Sequence, residues 1–352
     1  MLTGRTTTVI GDDAPKRPQH YRRQGLSDPA IRKKTASEGV AGRCVGIHPF
    51  DWPELLGDLL DRRQLSRESH MTIQVQSLEG VGAEITAVDL RDLSDSDFNA
   101  VREAYAKHGV IFFRDQDISE DQHIAFAKRW APININRFFA AHPDHPEIAL
   151  VSKERDQQNN LGGGWHTDHS YDQIPAMGSI LVARDLPPEG GNTLFASMYA
   201  AYDALSEGFQ KTLATLRAVH SARHIFGEGP SSYYENTDAG GDRIGNTKAA
   251  DKLEDAVHPV VITHPLSGKK ALYVNPAFTV RFDGWTAEES RPLLMQLYAH
   301  CMRPEFTHEF VWRPGSIAFW DNRATWHFAR NDYHGHRREM HRITVEGELL
   351  SA

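Results

Sequence analysis

Trp312-Arg313-Pro314-Gly315-Ser316-Ile317-Ala318-Phe319-Trp320-Asp321-Asn322-Arg323-Ala324-Thr325-Trp326-His327 joins a structural signal to a chemical one. Pro314-Gly315 is a turn pair, and Ser316 to Trp320 is a strand-sized apolar run beginning at that turn. A polar loop follows and ends in His327. Runs of the same kind recur on both sides: Ile73 and Val75, Ile85 and Val88, Val110 to Phe113, Asn192 to Ala196, and Ala271 to Val274. From Arg338 to Glu346, Ile343 and Val345 alternate with Arg342 and Thr344, as a strand requires. Helices are fewer. Ser94 starts one that runs through Val101 and Tyr105 and stops at Gly109. Ser119 starts another, through Phe126 and Trp130, which ends before Pro132. Short strands, Gly/Pro turns and few helices predict a mainly β fold with flanking helices, an antiparallel barrel or jelly roll.

A second stretch carries metal-binding residue types: Trp165-His166-Thr167-Asp168-His169. On a strand, residues i and i+2 point to the same side, so His166 and Asp168 can aim an imidazole and a carboxylate at one point. His169 has the wrong parity and is left out. A third donor from another strand would complete one face of an octahedron, the two-His, one-carboxylate arrangement that suits Fe(II). Gly162-Gly163-Gly164 has no GKS/T after it and is read as room for a close approach beside His166. Arg338, Met340 and Arg342 share strand parity. If that face is interior, two guanidinium groups are partly buried, and each calls for an anion.

Taken in order, Trp165-His166-Thr167-Asp168, Gly190-Gly191-Asn192-Thr193, Trp320-Asp321-Asn322-Arg323-x-Thr325-x-His327 and Arg337-Arg338-x-Met340-His341-Arg342 resemble the taurine dioxygenase and TfdA-type herbicide dioxygenase family. The resemblance spans roughly Ile85 to Glu346. It implies a double-stranded β-helix, a jelly roll. It implies Fe(II) on His166, Asp168 and His327, with 2-oxoglutarate and O2 as cosubstrates and succinate and CO2 as products. It implies that Thr193 and Arg338 hold the distal carboxylate of 2-oxoglutarate, and that Arg342 holds a substrate anion. A carboxylate at Asp168 favours hydroxylation over halogenation. Early substrate contacts are expected in the loop Pro132 to Phe139. Taurine-specific members carry His and Tyr there; this chain offers Asn136 and Phe139, which fits a larger or more apolar substrate than taurine. Phe139 and Phe278 are candidate walls. Sulfonates, alkyl sulfates, aryloxy acids and other carboxylic acids are the expected substrate classes. A cupin-like hydrolase or isomerase using the same three ligands with zinc or manganese is the alternative. Ser/His/Asp hydrolysis lacks a nucleophile elbow.

Composition bounds the rest. The chain has 352 residues with a net charge of −8, which argues against nucleic acid as a partner. No apolar run approaches the length of a membrane span. Two cysteines, Cys44 and Cys301, exclude a disulfide scaffold or a Cys-based metal site and point to a reducing, cytoplasmic setting. The expected partners are a small molecule and further copies of the chain. Residues 1–70 carry 12 Lys+Arg against 9 Asp+Glu and show no sustained period. They read as a poorly ordered extension, either an upstream translated segment before a natural start at Met71 or a genuine arm, with a short helix around Asp51 to Leu56. Residues 71–352 read as one domain. Asp238 to Asp242 reads as a lid or connector, and His334 and His336 as solvated turn residues.

Overall fold

The computed structural model describes residues 73–227 and 253–352. The readings for residues 1–70, the helix near Asp51 and the connector at Asp238 to Asp242 lie outside them. In chain order the strands are β1 (Gln74–Ser77), β2 (Ala83–Thr86), β3 (Val110–Phe113), β4 (Ile133–Asn134), β5 (Ala149–Lys153), β6 (Gly178–Asp185), β7 (Thr193–Ser197), β8 (Arg217–His220), β9 (Ala256–Pro259), β10 (Val261–Thr263), β11 (Lys270–Leu272), β12 (Thr279–Phe282), β13 (Thr307–Phe310), β14 (Ile317–Asp321), β15 (Thr325–Ala329) and β16 (Arg338–Val345). The principal helices are α1 (Asp95–His108), α2 (Glu120–Lys128), α3 (Met198–Asp203), α4 (Glu207–Leu213), α5 (Arg223–Phe226) and α6 (Ala287–Cys301). The protein is mainly β, with no described helix long and apolar enough to cross a membrane.

The major sheet runs β1-β2-β3-β14-β6-β16-β4, with β5 also paired to β16. Its pairs are antiparallel except β2 with β3. A smaller antiparallel sheet, β13-β7-β15, faces it. The strands between are buried on both faces, which explains why Val110 to Phe113 reads as an unbroken apolar run. Val110 and Phe112 of β3, Ala318 and Trp320 of β14, Leu181 of β6 and Met340 of β16 meet Phe195 and Phe310 of the smaller sheet. The alternate residues Ile111, Phe113, Ile317, Phe319, Ile180, Val182, Ile343 and Val345 pack on Val101, Tyr105, Ile124 and Phe126 of the two first helices. Burying each such side chain is worth about 1.5–3 kcal/mol before entropy is charged against it.

Both helices begin where their caps predict. The Ser94 side chain accepts from the Asp97 N–H, and Gly109 closes α1 at φ 74°. Ser119 and Gln122 form a reciprocal capping box on α2, which stops at Lys128, two residues short of the expected Trp130. β16 pairs with β6 along its length, and the register slips between Glu339 and Met340. Because Glu339 faces Asp185 and Met340 faces Ala183, the extra residue, Arg184, sits on β6. β16 therefore keeps its alternation, and Arg338, Met340 and Arg342 share the inner face as expected.

Candidate active site

The two histidines are brought together by backbone. His166 N donates to His327 O at 3.1 Å, and His327 N donates to His166 O at 2.8 Å. His327 is not at the end of a loop, as its sequence suggested, but inside β15, opposite Phe195. The expected strand through His166 and Asp168 is also corrected: only His166 forms a bridge, and Asp168 lies in a turn. His169 continues that turn in the left-handed region at φ 58°. The turn, not strand parity, brings the carboxylate alongside. His166 Nε2 lies 3.7 Å from Asp168 Oδ1, and His327 Nε2 lies 4.0 Å from Oδ2. One donor atom from each of the three lies within 4.8 Å of the others.

Local sequence supports this geometry. The His166 Nδ1–H donates to the Gly164 carbonyl at 2.7 Å, leaving Nε2 with its lone pair toward the site. Gly162, at φ 78°, lets the loop pass: a Cβ there would lie 3.3 Å from His166 Cε1. Burial lowers the pKa of His166 and lowers that of His327 further, so both imidazoles are neutral. Burial by itself would raise the Asp168 carboxyl. The charge of the neighbouring Arg342 guanidinium leads the influences that outweigh it and hold the carboxyl well below the usual range. Ser179 Oγ donates to Asp168 Oδ2 at 3.0 Å, and Arg342 Nη1 lies 3.3 Å from Oδ1. Two neutral imidazoles and one secured carboxylate fit a divalent ion of the iron type.

These donors face a cavity of about 470 Å³. At one end, Arg338 is 4% exposed on β16, and its Nε and Nη2 have no hydrogen-bond partner among the described residues. A buried guanidinium with spare N–H groups is a receptor for an anion. Thr193, the first residue of β7, lines the same end. Its hydroxyl accepts from Trp312 Nε1–H at 3.0 Å, so its own proton is free to be donated. Gly191 makes room for the arginine, since a Cβ there would lie 3.1 Å from Arg338 Cδ. The buried arginine and the available hydroxyl fit the distal carboxylate of a 2-oxo diacid.

The other end is apolar. Phe139 and Phe278 line it as expected, joined by Leu161, Tyr171, Ile225 and Phe226. Tyr171 and Phe278 meet edge to face at 4.7 Å, and the Arg342 guanidinium lies 4.5 Å from the Phe139 ring centre. Arg342 thus stands between the metal donors and the aromatic wall. Asn136 does not line the cavity. Its Oδ1 accepts from the N–H groups of Phe138 and Phe139, at 2.9 Å each, so it shapes the loop that presents Phe139. His169 donates Nδ1–H to Asp172, and Asp172 pairs with Arg137, tying this loop to the turn. His334 and His336 are exposed turn residues, as read.

Sequence reading missed Ser179, Trp312, Tyr171 and Phe226. Trp312 lay in the decisive stretch, but nothing local ties an indole to a threonine in another strand. The other three carry no spacing signal, because they come from separate elements.

Residues 74–344 match the family described as taurine catabolism dioxygenase TauD, TfdA family. An alkylsulfatase of Acinetobacter baylyi is 33% identical over 79% of this chain and 86% of its own. A 2,4-dichlorophenoxyacetate dioxygenase of Burkholderia sp., named as α-ketoglutarate-dependent, is 33% identical over 72% of this chain and 87% of its own. The solved structure of AAD-2 with Mn(II) and N-oxalylglycine superimposes with a TM-score of 0.64 at 29% identity, covering 80% of this chain and all of that one. The three-donor cluster, the buried guanidinium beside it and these likenesses together show that the chain belongs to the TauD/TfdA family of 2-oxoglutarate-dependent dioxygenases.

Proposed function

We propose that this enzyme hydroxylates a small organic anion with an apolar body at the cavity bounded by His166, Asp168 and His327. The observation that carries the reading is Arg338. It is a buried cation with N–H groups unpaired among the described residues, lining the same cavity as a two-His, one-carboxylate cluster. His166, Asp168 and His327 would hold Fe(II). Arg338 and the Thr193 hydroxyl would hold the distal carboxylate of 2-oxoglutarate. Bound together, Fe(II), 2-oxoglutarate and O2 supply the oxidising chemistry, with succinate and CO2 released. The chain's part is to fix positions and exclude water. Gly164 fixes the tautomer of His166, Trp312 directs the Thr193 proton, and Ser179 and Arg342 keep Asp168 anionic.

Arg342 retains a buried Nε without a partner among the described residues, and this supports it as the receptor for the substrate anion. The aromatic wall of Phe139, Tyr171, Phe226 and Phe278 then takes the body. Relatives named for alkyl sulfates and for an aryloxy acid support an anionic head on an apolar body. Hydroxylation at a carbon next to oxygen yields an adduct that splits. Oxygen uptake and succinate release should be measured against sulfonates, alkyl sulfates, aryloxy acids and other carboxylic acids. Failure of every class, with iron and 2-oxoglutarate bound, would overturn the substrate reading. A metal-dependent hydrolase or isomerase would have no use for Arg338 or Thr193.

The facing sheets support the double-stranded β-helix as the finer fold. The match from residue 74 supports a single catalytic domain from Met71, with residues 1–70 outside it. The reading also includes a homo-oligomer, which sedimentation velocity would report. It includes a reducing cytoplasmic setting, which the buried, unpaired thiol of Cys301 suits.

A further inference from the structure

β16 has two faces, and the proposed chemistry uses one. On the other, His341 points away from the cavity toward the N-terminus of α2. Its Nδ1 lies 3.5 Å from Glu120 Oε1, a separation two ligands of one ion adopt. His142 comes to the same place from the segment that precedes β5, a turn closed by the Ala141–Ala149 bridge. Its ring centre is 5.3 Å from that of His341. Glu120, His142 and His341 each offer one donor atom, all within 4.8 Å of one another. On the far side of His341, Nε2 faces Glu339 Oε1 at 3.7 Å, the carboxylate–imidazole pairing that commonly backs a metal-bound histidine.

A cation already stands there. Arg184, the extra residue of β6, donates Nε–H to His341 Nδ1 at 3.2 Å. Its Nη2 lies 3.4 Å from Glu120 Oε1. The guanidinium therefore engages two of the three donors that an ion would use. Burial, followed by Arg184, lowers the His341 pKa, so the ring is a neutral donor.

We propose that Glu120, His142 and His341 form a second divalent-metal site, of the zinc type, on the outer face of β16, for which Arg184 is the resident competitor. Nitrogen and carboxylate donors suit Zn2+, and solvent completes the shell because Glu120 and His142 are only half-buried. The ion would join α2, the turn preceding β5 and β16. It does not depend on the dioxygenase reading, since no residue is shared.

The test is equilibrium dialysis of the chelator-stripped full chain against Zn2+, with bound metal counted. Wild type should hold two equivalents. His142→Ala and, separately, Glu120→Gln should each hold one, with unchanged circular dichroism, while His166→Ala loses the other equivalent. Arg184→Met should tighten only the outer site, by roughly tenfold or more, as removing a cation in contact with a ligand carboxylate demands. Retention of the full wild-type count in both His142→Ala and Glu120→Gln overturns the site. An outer-site affinity unchanged in Arg184→Met overturns the competition.

Discussion

Replacing Arg338 by Met separates cosubstrate binding from folding. In the wild type the guanidinium is 4% exposed, with Nε and Nη2 unpartnered among the described residues, and burial lowers its pKa. The ligand-free protein therefore bears the cost of a desolvated cation, and an incoming carboxylate removes it. Met fills much of the same space without charge, so the ligand-free variant should be as stable as wild type or more so. The 2-oxoglutarate carboxylate, in contrast, would enter a dry pocket with only Thr193 to meet it. Losing one desolvated charge-assisted pair costs about 2–4 kcal/mol. At about 1.4 kcal/mol per tenfold, KM for 2-oxoglutarate should rise by roughly 30- to 1,000-fold. Steady-state succinate release gives that number, and metal binding by dialysis should be unchanged. Differential scanning calorimetry supplies a second readout. A saturating 100-fold excess over Kd raises wild-type stability by about 2.7 kcal/mol, and the same concentration should scarcely move the variant. An unchanged KM, or a variant that 2-oxoglutarate still stabilises fully, would show that the carboxylate sits elsewhere.

His166→Ala and His327→Ala should each abolish stoichiometric Fe(II) binding and turnover, measured anaerobically; retention of a full equivalent in either refutes the ligand set. Arg342→Met should weaken the prime substrate and leave KM for 2-oxoglutarate within about threefold, a smaller change than one lost charged hydrogen bond gives. It should also alter the acid limb of the metal-free protein. Asp168 has a folded pKa below its unfolded value, so its stabilisation is present above about pH 4 and is lost as pH falls through the folded pKa. Removing Arg342 raises the folded pKa, so unfolding followed by circular dichroism should begin at higher pH; superimposable acid limbs would refute the coupling. Gly178→Ala should cost about 1–3 kcal/mol in urea unfolding, because a Cβ there would lie 2.2 Å from Tyr105 Oη and 2.5 Å from the Trp320 carbonyl.

Much of the strand pattern and both helix starts were legible, because caps and alternation act within a few residues. Ser94, Ser119 and Gly109 perform the roles their types suggest. The boundary at Lys128 was not, since the last turn tightens there, with the Arg129 N–H donating to Phe126 O and the Trp130 N–H to Ala127 O. β6, an inner strand of the major sheet between β14 and β16, and α6 went unread, although Thr286 and Glu289 form a capping box that could have marked α6. Pro292 inside that helix masks its period. At the site, the three residues that cluster in space could be picked out by type and motif, but the geometry that brings them together could not. Parity on a strand is not what brings His166 and Asp168 together: His166 sits in a bridge to His327, and Asp168 lies in the turn that follows it. Asn136 shows the limit of position in a loop, since its carboxamide turns to backbone instead of the cavity. Arg338, Met340 and Arg342 were read correctly because alternation on one strand survives folding.

That survival has a consequence for how the gene can change. A one-residue insertion or deletion within β16 would rotate Glu339 and His341 into the cavity and send the arginines to the opposite side. Such an event would exchange cations for a carboxylate and an imidazole in one step, so it cannot be a gradual route to a new substrate. The irregularity at this point lies instead on β6, where Arg184 is looped out of register. An inserted residue at this seam should therefore be borne better on the neighbouring strand or in the His334–His336 turn than on the arginine-bearing strand, where substitution alone keeps the two faces apart.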